Sequence, residues 1–238
     1  MVFVTGDTHS SNDSDKFNSF GEDLTKDDYV IVCGDFGYLW DSSEKEMELR
    51  KWLSDKPWTT LFVDGNHENF DLLEELEEVE MFGSVVGKVT DSIYHLKRGQ
   101  IYNIEGKNLF TFGGGLSIDK EWRYHYERNN GVKIWWEQEM PTRTQKALGI
   151  ANTCAYAIMN KPIHFILTHT CPAHILPQVV QNNKGITDAE NYLEEIHRIL
   201  NEEVTGEKYS HWYFGHFHDN IDVDNRHTLL YDEIRRII

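Results

Sequence analysis

Cysteine is scarce in this 238-residue chain. Its three cysteines, Cys33, Cys154 and Cys171, are odd in number and lack a C-x-x-C spacing, which argues against a disulfide framework and a structural zinc knuckle. A reducing compartment follows, and the cytoplasm is the expected location. Long apolar runs are also missing: Met1-Val2-Phe3-Val4 gives way to polar residues at Thr5, too soon for a signal peptide or a membrane span. No membrane is expected as a partner. Positive charge is short as well, with a formal net charge of -17, a field that repels polyanions and disfavours nonspecific nucleic-acid binding. Part of the acidic excess lies in Glu74-Glu75-Leu76-Glu77-Glu78, expected as the solvated face of a helix. There is no internal repeat, no low-complexity tract and no linker rich in Pro, Gly or Ser, so residues 1–238 are expected to form a single domain. Nothing in the sequence sets an oligomeric state.

What is present is a core. Hydrophobic residues make up 39% of the chain, and 12 Phe, 11 Tyr and 7 Trp supply bulky material for packing. Short apolar runs at Met1 to Val4, Tyr29 to Cys33, Thr60 to Val63, Ile163 to Thr168 and His211 to Phe214 end in turn formers and read as strands of a buried sheet. Between them, helices are predicted from Ser42 or Ser43 to about Ser54, from Asn69, from Pro141 or Thr142, and from Thr187 or Asp188. Ile93 to Leu96, Ile101 to Ile104, Leu109 to Phe112 and Thr228 to Ile234 read as further strands, with a hairpin turn at Glu105-Gly106-Lys107. The expected class is α/β. Residues 119–140 fit neither period and carry Trp122, Tyr124, Tyr126, Trp135 and Trp136 among charges; a long loop or cap is expected over about 113–140.

Five strand ends carry metal-type residues: Gly6-Asp7-Thr8-His9, Gly34-Asp35, Gly65-Asn66-His67-Glu68, Thr168-His169 and Gly215-His216-Phe217-His218. Side chains from adjacent strand ends converge on one rim, so these residues can share a site. Asp-x-His at a strand end puts two side chains on one side of the pleat, which suits chelation. Asp35, with two oxygens, can bridge two cations. A mixed Asp, Asn and His set suits Mn, Fe, Zn, Co or Ni better than Mg or Ca.

In this order the segments resemble the signature of the calcineurin-like metallophosphoesterases over residues 5–218. The resemblance implies a four-layer αββα sandwich of two mixed β-sheets flanked by helices. It also implies two divalent or trivalent metal ions, Mn foremost, one held by Asp7, His9, Asp35 and His218, the other by Asp35, Asn66, His169 and His216. Attack on phosphorus by a metal-bridging hydroxide would follow, with His67 as general acid or phosphate contact and Asp35 and His67 as the catalytic pair. Protein Ser/Thr phosphatases of this superfamily carry Asp and Arg after the bridging Asp, where this chain has Tyr38 and Leu39, so that branch is not expected.

A replacement phosphate clamp is expected in Gly113-Gly114-Gly115-Leu116-Ser117-Ile118-Asp119-Lys120-Glu121-Trp122-Arg123, with Gly114 and Gly115 offering backbone N–H groups and Arg123 or Lys120 adding charge; a tight bend before the cap is the equal alternative. The Gly-Gly-x-Leu-Ser portion resembles a loop of RNA lariat debranching enzymes, which have Cys at the place of Asp7. The substrate expected is a small phosphate ester, leaning to phosphodiesters or nucleotides because the aromatic cap could stack a base. The alternatives are a phosphomonoesterase on a small metabolite and a non-catalytic metal-binding scaffold of the same fold.

Overall fold

The protein is described by a computed structural model covering residues 1–180, 185–201 and 209–238. Along the chain the first strands are β1 (Val2–Thr5), β2 (Tyr29–Cys33), β3 (Thr59–Val63), β4 (Glu77–Met81), β5 (Ser84–Thr90) and β6 (Ile93–Leu96). Then come β7 (Gln100–Ile104), β8 (Lys107–Phe112), β9 (Phe165–Thr168), β10 (His211–Phe214), β11 (Ile221–Asp222), β12 (His227–Leu229) and β13 (Ile234–Arg236). The helices are α1 (Glu44–Ser54), α2 (Phe70–Glu74), α3 (Lys120–Asn130), α4 (Arg143–Ile158), α5 (Leu176–Val179) and α6 (Asp188–Asn201). Helix starts follow side-chain chemistry. Ser43 Oγ accepts the N–H of Glu46, Asn69 Oδ1 accepts that of Leu72, and Thr142 and Gln145 form a reciprocal capping box.

Both sheets are mixed. One has the order β13-β1-β2-β3-β6-β5-β4, and the other β11-β12-β10-β9-β8-β7. Within the first, β1, β2, β3 and β6 run parallel, and within the second so do β12, β10, β9 and β8. Strand alternation sorts the core into layers. Ile31 and Cys33 of β2 meet Tyr102, Leu109, Leu167 and Tyr213 between the sheets. Val30 and Val32 turn outward with Leu53 of α1 and Leu73 of α2. On the far side, Phe110 and Phe112 of β8 pack with Leu193 and Ile196 of α6. The expected αββα sandwich is therefore present, assembled by period-two strands that are buried on both faces. The β7–β8 hairpin turns at Glu105 and Gly106, both at positive φ, as its two-residue loop requires. Among the described residues no helix is long and apolar enough to cross a membrane.

Three sequence readings are corrected. The run from Thr228 to Ile234 is not one strand: β12 ends at Leu229 and β13 begins at Ile234, in different sheets. The acidic run does not continue as a helix: α2 stops at Glu74, and Glu77 and Glu78 begin edge strand β4, paired antiparallel with β5. Alternation from Glu78 to Met81 leaves Glu78 and Glu80 exposed and Val79 and Met81 half-buried, and charge on an edge strand deters further pairing. Residues 120–130, expected as loop, form α3, closed by Gly131 in the left-handed region. Its helical period was hidden because the one buried residue of α3 is Arg123, while Trp122, Tyr124 and Tyr126 are exposed.

Candidate metal centre

The parallel strands β1, β2 and β3 of one sheet and β9 and β10 of the other deliver their C-terminal ends to one rim, where the five motif segments meet. Asp7, His9, Asp35 and His218 offer ligand atoms that all lie within 4.8 Å of one another. His9 Nε2 is 3.2 Å from Asp35 Oδ2, and His218 Nε2 is 3.1 Å from Asp7 Oδ2. Beside this group, His169 Nε2 stands 3.3 Å from Asp35 Oδ1, 2.9 Å from Asn66 Oδ1 and 3.2 Å from His216 Nδ1. All seven predicted ligands are thus brought together, in two donor groups that share Asp35.

The donors are aimed by a surrounding hydrogen-bond network. His169 Nδ1 lies 2.9 Å from the Cys33 carbonyl, which can only accept, so Nδ1 carries the hydrogen and Nε2 presents its lone pair. Asn66 Nδ2 donates to Ser117 Oγ at 3.1 Å, and Ser117 Oγ donates to Glu139 Oε2 at 2.6 Å, which turns Asn66 Oδ1 toward His169. Two acceptors facing each other at 2.9 Å with no hydrogen between them suit a cation. Asp7 gives the same indication. Its Oδ1 accepts the N–H of His216, while Oδ2 is buried without a hydrogen-bond partner, His218 being out of line. The residues present therefore fit a bound metal.

Backbone strain concentrates here. His9, Asp35, His216 and His218 are all non-glycine residues at positive φ, of 40°, 46°, 75° and 51°. Each such position costs about 1–3 kcal/mol, comparable to what one fully buried Leu or Phe contributes, and is tolerated because the packed sheets fix the strand ends. Two of the motif glycines make room for ligands from other strands. A Cβ on Gly34, itself at φ +97°, would sit 2.0 Å from His169 Nδ1, and one on Gly65 would sit 2.0 Å from Asp35 Oδ1.

Charge balance follows from burial and proximity. Burial alone would raise the carboxyls of Asp7 and Asp35, but the surrounding histidines override it; His169 and His9 hold Asp35 well below the usual carboxylate range, and His218 and His169 lower Asp7. Burial, reinforced by His169, pushes His216 down to about 3, leaving its imidazole neutral and able to coordinate.

His67 sits at the rim, its backbone N–H donating to Asp35 Oδ1 at 2.7 Å. Arg123 Nη2 lies 2.8 Å and 2.9 Å from the two ring nitrogens. A guanidinium only donates, so the nitrogen it engages must carry a lone pair and the imidazole is neutral, with its hydrogen on the other nitrogen. Burial first, and then the charges of Arg123 and His9, push His67 down to about 4. Arg123 is buried and held by Asp119 Oδ1 at 2.9 Å, so it reaches the site through His67 and does not line the cleft. The amide cradle expected of the glycine run is also corrected. The Gly114 N–H donates to Asp64 O and the Gly115 N–H to Glu139 O, so neither is free for an anion. Gly115 instead forms a side wall, where a Cβ would sit 3.2 Å from His169.

A cleft of about 860 Å³ opens over the centre. Its floor includes Asp35, Asn66, His67, His216 and His218, and its walls include Leu116, Ile118, Leu176, Val179, Ile186 and Phe217. The cap aromatics stand elsewhere: Trp122, Tyr124 and Tyr126 are exposed outside the cleft, and Trp136 packs edge-on against Trp40.

Supporting residues had weaker sequence signals. Asp13, four residues after His9, accepts from His9 Nδ1 at 2.6 Å and from Tyr231 Oη at 2.7 Å. Lys16 Nζ donates to the carbonyls of Gly6, Asp7 and Tyr231 and so fixes the turn after β1. Only the short spacing of Asp13 from His9 could have marked it; Ser117 stood out in the glycine run but not as the partner of Asn66, and Tyr231 and Glu139 gave no signal, since they arrive from distant elements.

The family described as calcineurin-like phosphoesterase matches residues 1–220, and the chain belongs to it. Metal-dependent hydrolysis of phosphate esters is the general activity of that family. No curated protein matches the chain.

Proposed function

Taking membership of the calcineurin-like phosphoesterase family as the premise, we propose that this chain hydrolyses phosphodiester or nucleotide-type substrates with two transition-metal ions. Asp7, His9, Asp35 and His218 hold one ion, and Asp35, Asn66, His169 and His216 the other. The mixed oxygen and nitrogen donors favour Mn, with Fe, Zn, Co or Ni as other occupants. When bound, the pair supplies an acidified water and draws charge from the phosphoryl oxygens. The observation that carries this reading is the position of Asp35, whose Oδ2 faces His9 while its Oδ1 faces His169.

The protein's own groups do the rest. Asp35 orients His67 through the His67 backbone N–H, and Arg123 fixes the ring as a neutral donor. His67 is thus better suited to hydrogen-bond a phosphoryl oxygen than to start the reaction as a charged acid. The cleft walls are largely apolar, and a volume of about 860 Å³ leaves room for a second substituent on phosphorus, which supports a diester. The free cysteines, with Cys33 and Cys171 buried, suit a reducing cytoplasm.

Turnover of a bis-aryl and a mono-aryl phosphate with Mn²⁺ tests the reading, alongside Asp35→Asn and His67→Ala. Faster diester cleavage, abolished in D35N and strongly reduced in H67A, is expected. Faster monoester cleavage would assign a phosphomonoesterase, and hydrolysis unchanged in both variants would refute the assigned mechanism.

A further inference from the structure

On the outer face of the second sheet, three imidazoles converge outside the cleft: His174 in the turn after β9, His197 on α6, and His227 at the start of β12. One nitrogen from each lies within 4.8 Å of the others. Their rings pack closely, with centroids 4.4 Å apart for His174 and His197 and 5.6 Å for His174 and His227. Burial is graded: His227 is almost fully buried, and His174 opens to solvent with 39% of its side chain exposed.

The hydrogen bonds set the tautomers. His227 Nδ1 lies 2.9 Å from both oxygens of Asp224, and His174 Nδ1 lies 2.6 Å from Glu194 Oε2. A carboxylate accepts, so both Nδ1 atoms carry hydrogen and both Nε2 atoms present lone pairs. Tyr209 Oη stands 2.8 Å from His227 Nε2 and 3.0 Å from His197 Nδ1. Its single hydrogen goes to the lone pair on His227, so its oxygen accepts from His197 Nδ1–H. The lone pair of His197 is then also on Nε2, where Asn201 Nδ2 donates at 2.8 Å. Three imidazoles therefore carry lone pairs on Nε2, and two have the carboxylate–histidine arrangement that orients metal-binding rings.

We propose that His174, His197 and His227 form a second metal site, separate from the catalytic centre, which takes a divalent late transition ion, zinc foremost. Three imidazole donors, with His174 opening to solvent, match the donor preference of zinc. Nitrogens around a tetrahedral zinc stand roughly 3.3 Å apart, so the rings close inward and the contacts from Asn201 and Tyr209 yield to the ion. The ion would tie α6 to β12 and to the segment ahead of α5, whose Leu176 and Val179 wall the cleft.

The test is metal stoichiometry of the full chain after chelation and equilibrium dialysis against micromolar Zn²⁺, which does not depend on turnover. His174→Ala, at an exposed position, is expected to bind one ion fewer per chain than the wild type, however many the catalytic centre holds. His174→Cys loaded with Co²⁺ is expected to gain a thiolate-to-cobalt charge-transfer band in the near ultraviolet. Equal stoichiometry in wild type and H174A, or H174C with no such band, would overturn the proposal.

Discussion

Arg123 on α3 places its guanidinium 2.8 Å from a ring nitrogen of His67, the residue that follows metal-site Asn66. The cation missing after Asp35 in sequence thus arrives from the cap, 56 residues beyond His67. It acts on the site by fixing a ring, which makes Arg123 a positioning residue. Truncation to R123A should lower kcat/KM by about 10–100-fold, the usual cost of removing a group that orients a site residue. Most of the loss should fall on kcat, with metal content unchanged. Lys keeps the charge but lacks the planar fork, so R123K should recover only part of the rate. Full activity in R123A would show that His67 needs no partner.

The hydrogen-bonded line from Glu139 through Ser117 to Asn66 predicts a metal phenotype for a residue that is itself no ligand. S117A should free the Asn66 amide to rotate and weaken metal retention by about 10–100-fold. Asp13→Ala, which releases His9 Nδ1, should do the same at the other ion. Metal content at limiting Mn²⁺ is the readout, and retention equal to wild type would remove both residues from the site.

Stability should depend on a buried ion group behind the centre. Asp64 Oδ2 accepts from Arg98 Nε at 2.7 Å and Nη2 at 2.5 Å, its Oδ1 lies 3.0 Å from His95 Nε2, and all three residues are buried. R98M leaves the carboxylate buried beside His95 alone and should cost about 3–5 kcal/mol in urea unfolding. Burial would raise Asp64, but Arg98 and His95 hold it well below its ordinary value. A carboxyl lowered on folding stabilises the protein above its unfolded pKa of about 4, and that contribution is lost as pH falls further. The R98M deficit should therefore shrink under acid; a deficit independent of pH would point to packing loss.

A second pH effect has its own window. His211, bonded to Thr228 Oγ1 at 2.8 Å, is pushed down to about 4 by burial, with His227 and Arg235 adding to the shift against Asp222. The unfolded chain takes up the proton near pH 6.5 and the folded chain only near 4, so stability falls as pH drops through that interval. Urea midpoints of chelated protein should decline from pH 7 to pH 4, less steeply in His211→Gln. An identical slope in the variant would exclude His211 as a source.

The sequence by itself determined the strand ends, the ligand types and their order. Those features are local: a short apolar run needs a stop, and Gly-Asp, Gly-Asn or Gly-His at that stop already shows which side chains reach the rim. It also determined the starts of α1, α2 and α4, because Ser43, Asn69 and Thr142 cap through bonds to residues only three positions on. Tertiary structure decided what depends on distant partners. Glu77 and Glu78 became an edge strand because β5 was there to pair with them. Residues 120–130 became a helix whose one buried residue is an arginine, a face that no hydrophobic period announces. The amides of Gly114 and Gly115 were taken by Asp64 and Glu139, and Arg123 by His67 and Asp119, so the cap supports the metal rim from behind. His174, His197 and His227 have no common motif; only the packing of α6 against the second sheet brings them together.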